Sequence, residues 1–452
     1  GAGTAGIIAA QTLANQSITD FIILEYNNYI GGRVQHTTFG SPDNQFVIEL
    51  GANWVQGLVS PPGPENPIWT LAQLYGLNST YSDYDSILTY DQTGYTDYSD
   101  LIDQLDGDVW DAASADAGTI LTQGLIDHSV RAAFSMAGWF PDRDPHKQAV
   151  EWWEWDWETA FTPEESSELY GFAGYNLTFN QFSDENNFVW DQQGFNTLIE
   201  GEASTFLQPN DTHLRLNTTV TIVDSSPPSM IQVTTEDGSC FAAKHVICTF
   251  SLGVLQHALA EDAPVTFTPE FPAWKKAAIY NFDMGTYTKL FLQFPESFWG
   301  DTQFYLYADP TKRGYYPVWQ ALDAPGFLEG SNTIFATVVE HESERVERQS
   351  DAETLAELIA VLQAMFPNVT IPEPTAFLYP RWGQTEWSFG SYSNWPTGVS
   401  LLEHQNLRAG LRSGPDGKGQ GRLWFAGEHT SAEYFGFMHG EQTALWTDWD
   451  RK

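Results

Sequence analysis

The first 25 residues constrain the fold more than any other part of the chain. Gly1, Gly3 and Gly6 in Gly-Ala-Gly-Thr-Ala-Gly match G-x-G-x-x-G, Ile7 to Ala14 suit a short helix, and Phe21 to Leu24 read as a buried parallel strand ending in Glu25. Glycines at this spacing permit a tight turn and let a pyrophosphate approach a helix N-terminus, where free N–H groups and the helix dipole favour anions. A carboxylate about 20 residues further on, at the end of the second strand, is placed to accept from a ribose diol and would repel a 2′-phosphate. The start therefore predicts an α/β, Rossmann-like domain. Its fingerprint calls for a strand before the first glycine, so about one further strand length is expected upstream of Gly1.

Charge narrows the partners. The 452 residues carry 59 Asp+Glu against 20 Lys+Arg, a net charge of −39, which makes nucleic acid and anionic lipid poor partners and small cations favoured ones. With 42% hydrophobic and 15% aromatic residues the chain is too apolar for disorder, and its length suits several globular units. No apolar run of about 18 residues occurs, so no membrane span is expected. Cys240 and Cys248 are the only cysteines, too few for a disulfide scaffold or a four-cysteine metal site, and two buried free thiols are expected. The ten histidines form no H-E-x-x-H, so no metal is expected, and no G-x-S-x-G supports a hydrolase. Sequons at Asn15, Asn78, Asn176, Asn210, Asn217 and Asn368, together with scarce lysine, point to a secreted protein with N-linked glycans.

The Gly31-Gly32-Arg33 turn and then Glu49-Leu50-Gly51-Ala52-Asn53-Trp54-Val55 are far more specific than the opening glycines. These residues resemble the flavin-containing amine oxidases, and Glu49 to Trp54 point to the polyamine oxidase branch. The likeness continues in order. Val189 to Phe195 resembles the family's return to its flavin domain. Glu236-Asp237-Gly238 makes a hairpin turn, and Lys244 to Thr249 leads into Leu252-Gly253-Val254-Leu255 as a meander running into a buried strand. Trp424 to Thr430 resembles the closing FAD motif, followed by Tyr434 to Gly440 and a helix. The resemblance implies a discontinuous FAD-binding domain at 1–77, 188–276 and 385–452. An α+β substrate-binding domain at 78–187 and 277–384 would be interleaved with it. It implies cofactor contacts at Gly1, Gly3, Gly6 and Glu25, at Gly32 and Arg33, and at Gly51, Ala52, Asn53 and Trp54. Further ones fall at Val220, Trp382, Gly427, Glu428, Phe437 and Met438. No cysteine lies between Ser391 and Val399, where monoamine oxidases attach their flavin, so FAD is expected to be non-covalent.

Three elements carry the expected chemistry. In Tyr287-Thr-Lys289-Leu-Phe-Leu-Gln293 alternation puts Tyr287 and Lys289 on one face. A lysine in such a strand either snorkels from a sheet edge or is paired or deprotonated inside. Resemblance favours the second, because this lysine holds a water near flavin N5 in the family. In Glu151 to Glu158 four Trp alternate with four acids. That pattern reads as a two-faced amphipathic element, or as an aromatic slot with carboxylates for a cationic methylene chain. Trp157 and Glu158 align with the tunnel of polyamine oxidases. Where plant members continue with a carboxylate after the Glu49–Val55 motif, this chain has Gln56, which hydrogen-bonds an amine but adds no charge. Tyr392 and Phe437 would form the walls of an aromatic sandwich. Residues 79–118 carry ten Asp and no Lys or Arg, either a solvated face or a steering surface. The expected activity is polyamine oxidation (spermine, spermidine or N-acetylated forms) with hydride passing to flavin N5 and O2 reduced to hydrogen peroxide. The alternatives are a monoamine or L-amino-acid oxidase, the latter requiring an arginine clamp, and a non-catalytic FAD-binding glycoprotein.

Overall fold

A computed structural model describes residues 1–59, 63–261, 263–412 and 421–441. The expected segment 385–452 therefore lies partly outside the described residues, as does its closing helix, which is seen only from Met438 to Glu441. The chain is mixed α/β. Helix Thr4–Asn15 follows the glycine turn and packs on helix Thr197–Ser204. The strand expected at Phe21 to Leu24 is shorter, Ile23–Leu24, paired parallel with Leu214–Arg215. Ile23 is buried but Ile22 is exposed, because only one face of this two-stranded pairing is covered.

A seven-stranded sheet is built from the middle of the chain. In space its strands run Ala376–Leu378, Tyr287–Gln293, Thr333–Val339, Val318–Ala321, Phe304–Ala308, Ile87–Asp91 and Gly94–Tyr95. All neighbours are antiparallel except Phe304–Ala308 beside Ile87–Asp91. Tyr287–Gln293 is an interior strand with both faces covered, so an edge lysine that snorkels is ruled out: Lys289 is 1% exposed and sits opposite Thr337. Two small sheets tie distant segments together. Trp54–Gln56 and Ser79–Tyr81 flank Asn186–Val189, and Asp283–Gly285 pairs with Tyr392–Asn394.

Several local expectations are corrected. The hairpin around Glu236–Gly238 joins Ile231–Thr235 to Cys240–Ala243 as expected. The buried strand after it, however, is Val246–Cys248, and Leu252–His257 is a helix capped by Ser251, whose Oγ accepts from the Val254 N–H at 3.1 Å. Cys240 is exposed and only Cys248 is buried. Glu151 to Glu158 is not a two-faced element either. It is helical throughout, with all four Trp buried and Glu151 and Asp156 equally buried against Arg313, whose Nη1 lies 2.5 Å from Asp156 Oδ2. Ion pairing is what lets this acid-rich helix sink into the protein. Among the described residues no helix is long and apolar enough to cross a membrane.

Lys275 is fully buried. Its Nζ donates to the carbonyls of Asn406, Leu407 and Ala409 at the end of helix Leu401–Arg408, over the Phe425 ring. Three carbonyls can take all three hydrogens of an ammonium, so the side chain caps the helix, although burial lowers Lys275 to about 7. Lys275→Met is expected to cost about 3–5 kcal/mol, because the carbonyls lose their donor inside the core. Urea unfolding of the two proteins measures this, and a cost below about 1 kcal/mol would remove the cap from the account.

Candidate active site

One cleft of about 860 Å³ runs between the glycine turn and the seven-stranded sheet. At one end lies the turn itself. A side chain at Gly6 would stand 1.8 Å from Gly1 O. Gly32, at φ +59°, runs so close to the turn that a Cβ there would stand 3.3 Å from the Gly3 backbone. The residue before this helix, Gly3, has no side chain to cap it, and Glu441 Oε2 takes only the Ala5 N–H at 3.1 Å, so part of the N–H array is left for a ligand. Glu25 is held in place by the N–H groups of Ala2 at 2.5 Å and Asn27 at 2.9 Å, one on each oxygen. Thr218 N–H donates to Glu25 O at 2.7 Å, which brings Val220 to this end. On the wall beside Gly1, Thr249 Oγ1 is buried without a hydrogen-bond partner. The N–H groups left free at the turn, an oriented carboxylate and an orphaned hydroxyl fit a dinucleotide.

Further along, Arg33 crosses the cleft. It donates to Ser391 O at 2.7 Å and to Glu428 Oε1 at 3.0 Å, and reaches Glu441 Oε1 at 3.4 Å. Glu428 Oε2 accepts from Ser393 Oγ at 2.5 Å and from Gly436 N–H at 2.9 Å. Burial pushes Glu428 up, but Arg33, His429 and the Ser393 hydroxyl outweigh it and hold the carboxyl below its usual range. Gly51, Ala52, Asn53 and Trp54 line the wall with Gly427, Phe437 and Met438. Trp382, also on the wall, donates from Nε1 to Leu50 O at 3.3 Å.

The far end is aromatic and acidic. Trp157 stacks on Trp153 at 4.7 Å and meets Trp54 and Tyr84 edge-on at 5.7 and 5.5 Å. Glu158 lies among them. Gln56 Nε2 donates to Glu158 Oε1 at 2.6 Å, so the residue that adds no charge of its own orients the carboxylate that does. Burial pushes Glu158 up to about 7 against that hydrogen bond. Tyr392 donates to Glu158 O at 2.7 Å, and its ring lies 6.0 Å from Tyr287. Phe437 packs on Phe179 and His439, with Gly436 against the Tyr392 ring.

Every site residue expected from the sequence lines this cleft except Lys289. Its Nζ sits one layer behind the wall, donating to Gly51 O at 2.9 Å and Asn53 Oδ1 at 2.8 Å, both wall residues. Burial lowers Lys289 to about 7, with Glu49 opposing. A neutral amine has two hydrogens, both engaged here, and one lone pair left to accept. Sequence reasoning gives Glu49 no role of its own, although it opens the quoted motif. It is buried, takes Phe195 N–H on Oε1 at 2.7 Å and leaves Oε2 unpaired. Tyr84, Tyr175 and Glu441 also line the cleft, and no motif marks them.

The flavin-containing amine oxidoreductase family model matches residues 4–440. Polyamine oxidase 7 of Oryza sativa subsp. japonica is 36% identical over 98% of this chain and 92% of its own length. Polyamine oxidase 1 of Zea mays is 36% identical over 97% and 86%. The peroxisomal N(1)-acetyl-spermine/spermidine oxidase of Bos taurus is 26% identical over 100% and 93%. With a dinucleotide cradle opening into an aromatic, carboxylate-bearing pocket, and a family match over nearly its whole length, the chain belongs to the flavin-containing amine oxidoreductases.

Proposed function

We propose that the protein is a secreted oxidase of polyamines that binds FAD non-covalently. The observation that carries this is the continuity of the cleft, from the glycine turn beside Glu25 to the Glu158 carboxylate between aromatic rings. Gly1, Gly3, Gly6 and Glu25 would hold the adenosine half, and Arg33, Glu428 and the Gly51–Trp54 run the flavin half. Bound FAD supplies the chemistry of accepting hydride from the carbon next to the amine nitrogen and reoxidation by O2 to hydrogen peroxide. The chain's own groups do the rest. Ionised Glu158 attracts an ammonium, while the rings of Trp157, Tyr392 and Tyr287 shield the methylene chain from water. Neutral Lys289 offers its lone pair to a water behind the Gly51–Asn53 wall.

Two rival readings lose support at the same place. An amino-acid oxidase needs a free arginine in the pocket, yet Arg33, the one arginine among the described lining residues, is engaged with Glu428 and Glu441. A monoamine oxidase of the cysteine-attached kind loses support likewise, because neither Cys240 nor Cys248 lines the cleft. The division into an FAD-binding part (1–77, 188–276, 385–452) and a substrate-binding part (78–187, 277–384) is supported by the seven-stranded sheet, whose strands all come from 87–95 and 287–378. Secretion with N-linked glycans is supported by exposure of five sequon asparagines. Asn176 differs, being part-buried with Thr178 fully buried. Peptide mapping after enzymatic deglycosylation should find sugar at some of the five and none at Asn176. A protein from a eukaryotic host without sugar at any sequon would remove the glycan support for secretion.

The central test is direct. Denaturation should release a yellow compound identified as FAD by mass. A peroxidase-coupled assay should then give peroxide with spermine, spermidine or N1-acetylspermine. Release of flavin without turnover of any amine would favour a binding protein, and absence of flavin would end the reading.

A further inference from the structure

The sequence pattern gives no sign of a metal, yet the fold brings together three ligating side chains far from any motif. Asp116 lies on helix Trp110–Gln123, His128 on the following loop, and Glu168 opens helix Glu168–Tyr175. One ligand atom from each lies within 4.8 Å of the other two. We propose that Asp116, His128 and Glu168 bind a divalent transition-metal ion of the zinc class, which fastens these two helices together.

Glu168 provides an observation independent of the clustering. It is 0% exposed, and while Oε2 meets His128 Nδ1 at 2.8 Å, its Oε1 is buried without a donor, with the Asp116 carboxyl within hydrogen-bond reach of the Glu168 carboxyl. A carboxylate oxygen sealed from water and left unpaired is costly, and here the neighbour is a second carboxylate, Asp116. Two carboxylates at one place need a cation or a proton between them.

The geometry suits the cation. Nitrogen and oxygen ligands lie about 2.0–2.2 Å from tetrahedral zinc, which puts two of them about 3.4 Å apart, so seating the ion opens the 2.8 Å His128–Glu168 contact and draws in the pairs that now stand up to 4.8 Å apart. The loop is already fixed for this. Glu168 N–H donates to His128 O at 2.9 Å and Val130 N–H to Ser166 O at 3.0 Å. Asp127 next to it is engaged with the N–H groups of Leu169 and Gly398. His128 has 40% of its side chain exposed, which leaves an entry path and room for water to complete the coordination. One imidazole and two carboxylates balance a double positive charge. The mixed nitrogen and oxygen set favours zinc over calcium, which asks for six to eight oxygens.

The site also bears on the cleft. Helix Glu168–Tyr175 presents Gly171, Gly174 and Tyr175 to it, so an ion at its first residue would steady that wall.

The experiment uses the flavin-loaded protein, stripped with EDTA and desalted, then titrated with zinc chloride or calcium chloride in a calorimeter. We expect one saturable zinc equivalent, no comparable calcium step, and a rise in Tm of about 2–5 °C at ~100-fold excess over Kd. Asp116→Asn, at a part-exposed helix position, and His128→Gln should each weaken zinc at least tenfold. No saturable zinc equivalent in the wild type would overturn the proposal. So would equal affinity in both variants, the mark of ions scattered on an acidic surface. A third contrary result is an Asp116→Asn protein more stable than a wild type that binds no zinc, which would mean that the carboxylates share a proton. Amine turnover enters none of these readings.

Discussion

Lys289→Met should slow reduction of the bound flavin by amine about 10²- to 10⁴-fold while leaving the flavin in place. Methionine keeps the length and volume of the side chain within the interior strand, so the sheet should hold. What it removes is the donor to Gly51 O and Asn53 Oδ1 and the one remaining lone pair. Retention of flavin follows from position, since Lys289 stands behind the wall and does not line it. The pH dependence has a definite sign. With Lys289 lowered to about 7, the neutral form prevails above that value, so the wild-type reduction rate should rise as pH passes through 7. The variant should lack that rise. Anaerobic stopped-flow absorbance across pH 6–9 measures both, and unchanged rates would falsify a role for Lys289 in the chemistry.

The second large effect belongs to Glu158. Glu158→Gln should reduce kcat/KM for spermine about 10- to 100-fold, mostly through KM, as expected when a buried charged hydrogen bond of about 1.5–3 kcal/mol is lost. Burial raises Glu158 to about 7, so it ionises as pH rises through that value and the wild-type KM should fall over the same range. With glutamine the KM should be flat there. Gln56 still has an amide partner at 158, so the pocket should keep its shape. Monoacetylated substrates, with one charge fewer, should lose less than spermine. An equal loss for charged and uncharged amines would assign Glu158 to packing.

How far the sequence can be read depends on whether a feature is local. The glycine turn and Glu25 follow from motif residues, because a turn is set by its own few side chains, whereas the Gln56–Glu158 hydrogen bond spans 102 residues and no local pattern foretells it. Burial of the strand at Lys289 is legible as alternation, but its interior place is not, since neighbours 40 to 90 residues away decide which strand is an edge. The Trp-rich helix misleads for a related reason. Its acids are buried only because Arg313, from a distant loop, neutralises them. Leu252–His257 reads as a strand because a short apolar run fits either state, and only the Ser251 cap distinguishes them. Asp116, His128 and Glu168 carry no common motif at all.

Arg33 joins an early part of the chain to a late one. Its partners Ser391 and Glu428 lie 358 and 395 residues downstream. On a ribosome, the glycine turn emerges long before the groups that close over it, so the nascent chain has half a pocket for most of its synthesis. Capture of a cofactor then belongs to the end of folding, and slow assembly of these long-range contacts sets when the prosthetic group can be locked in.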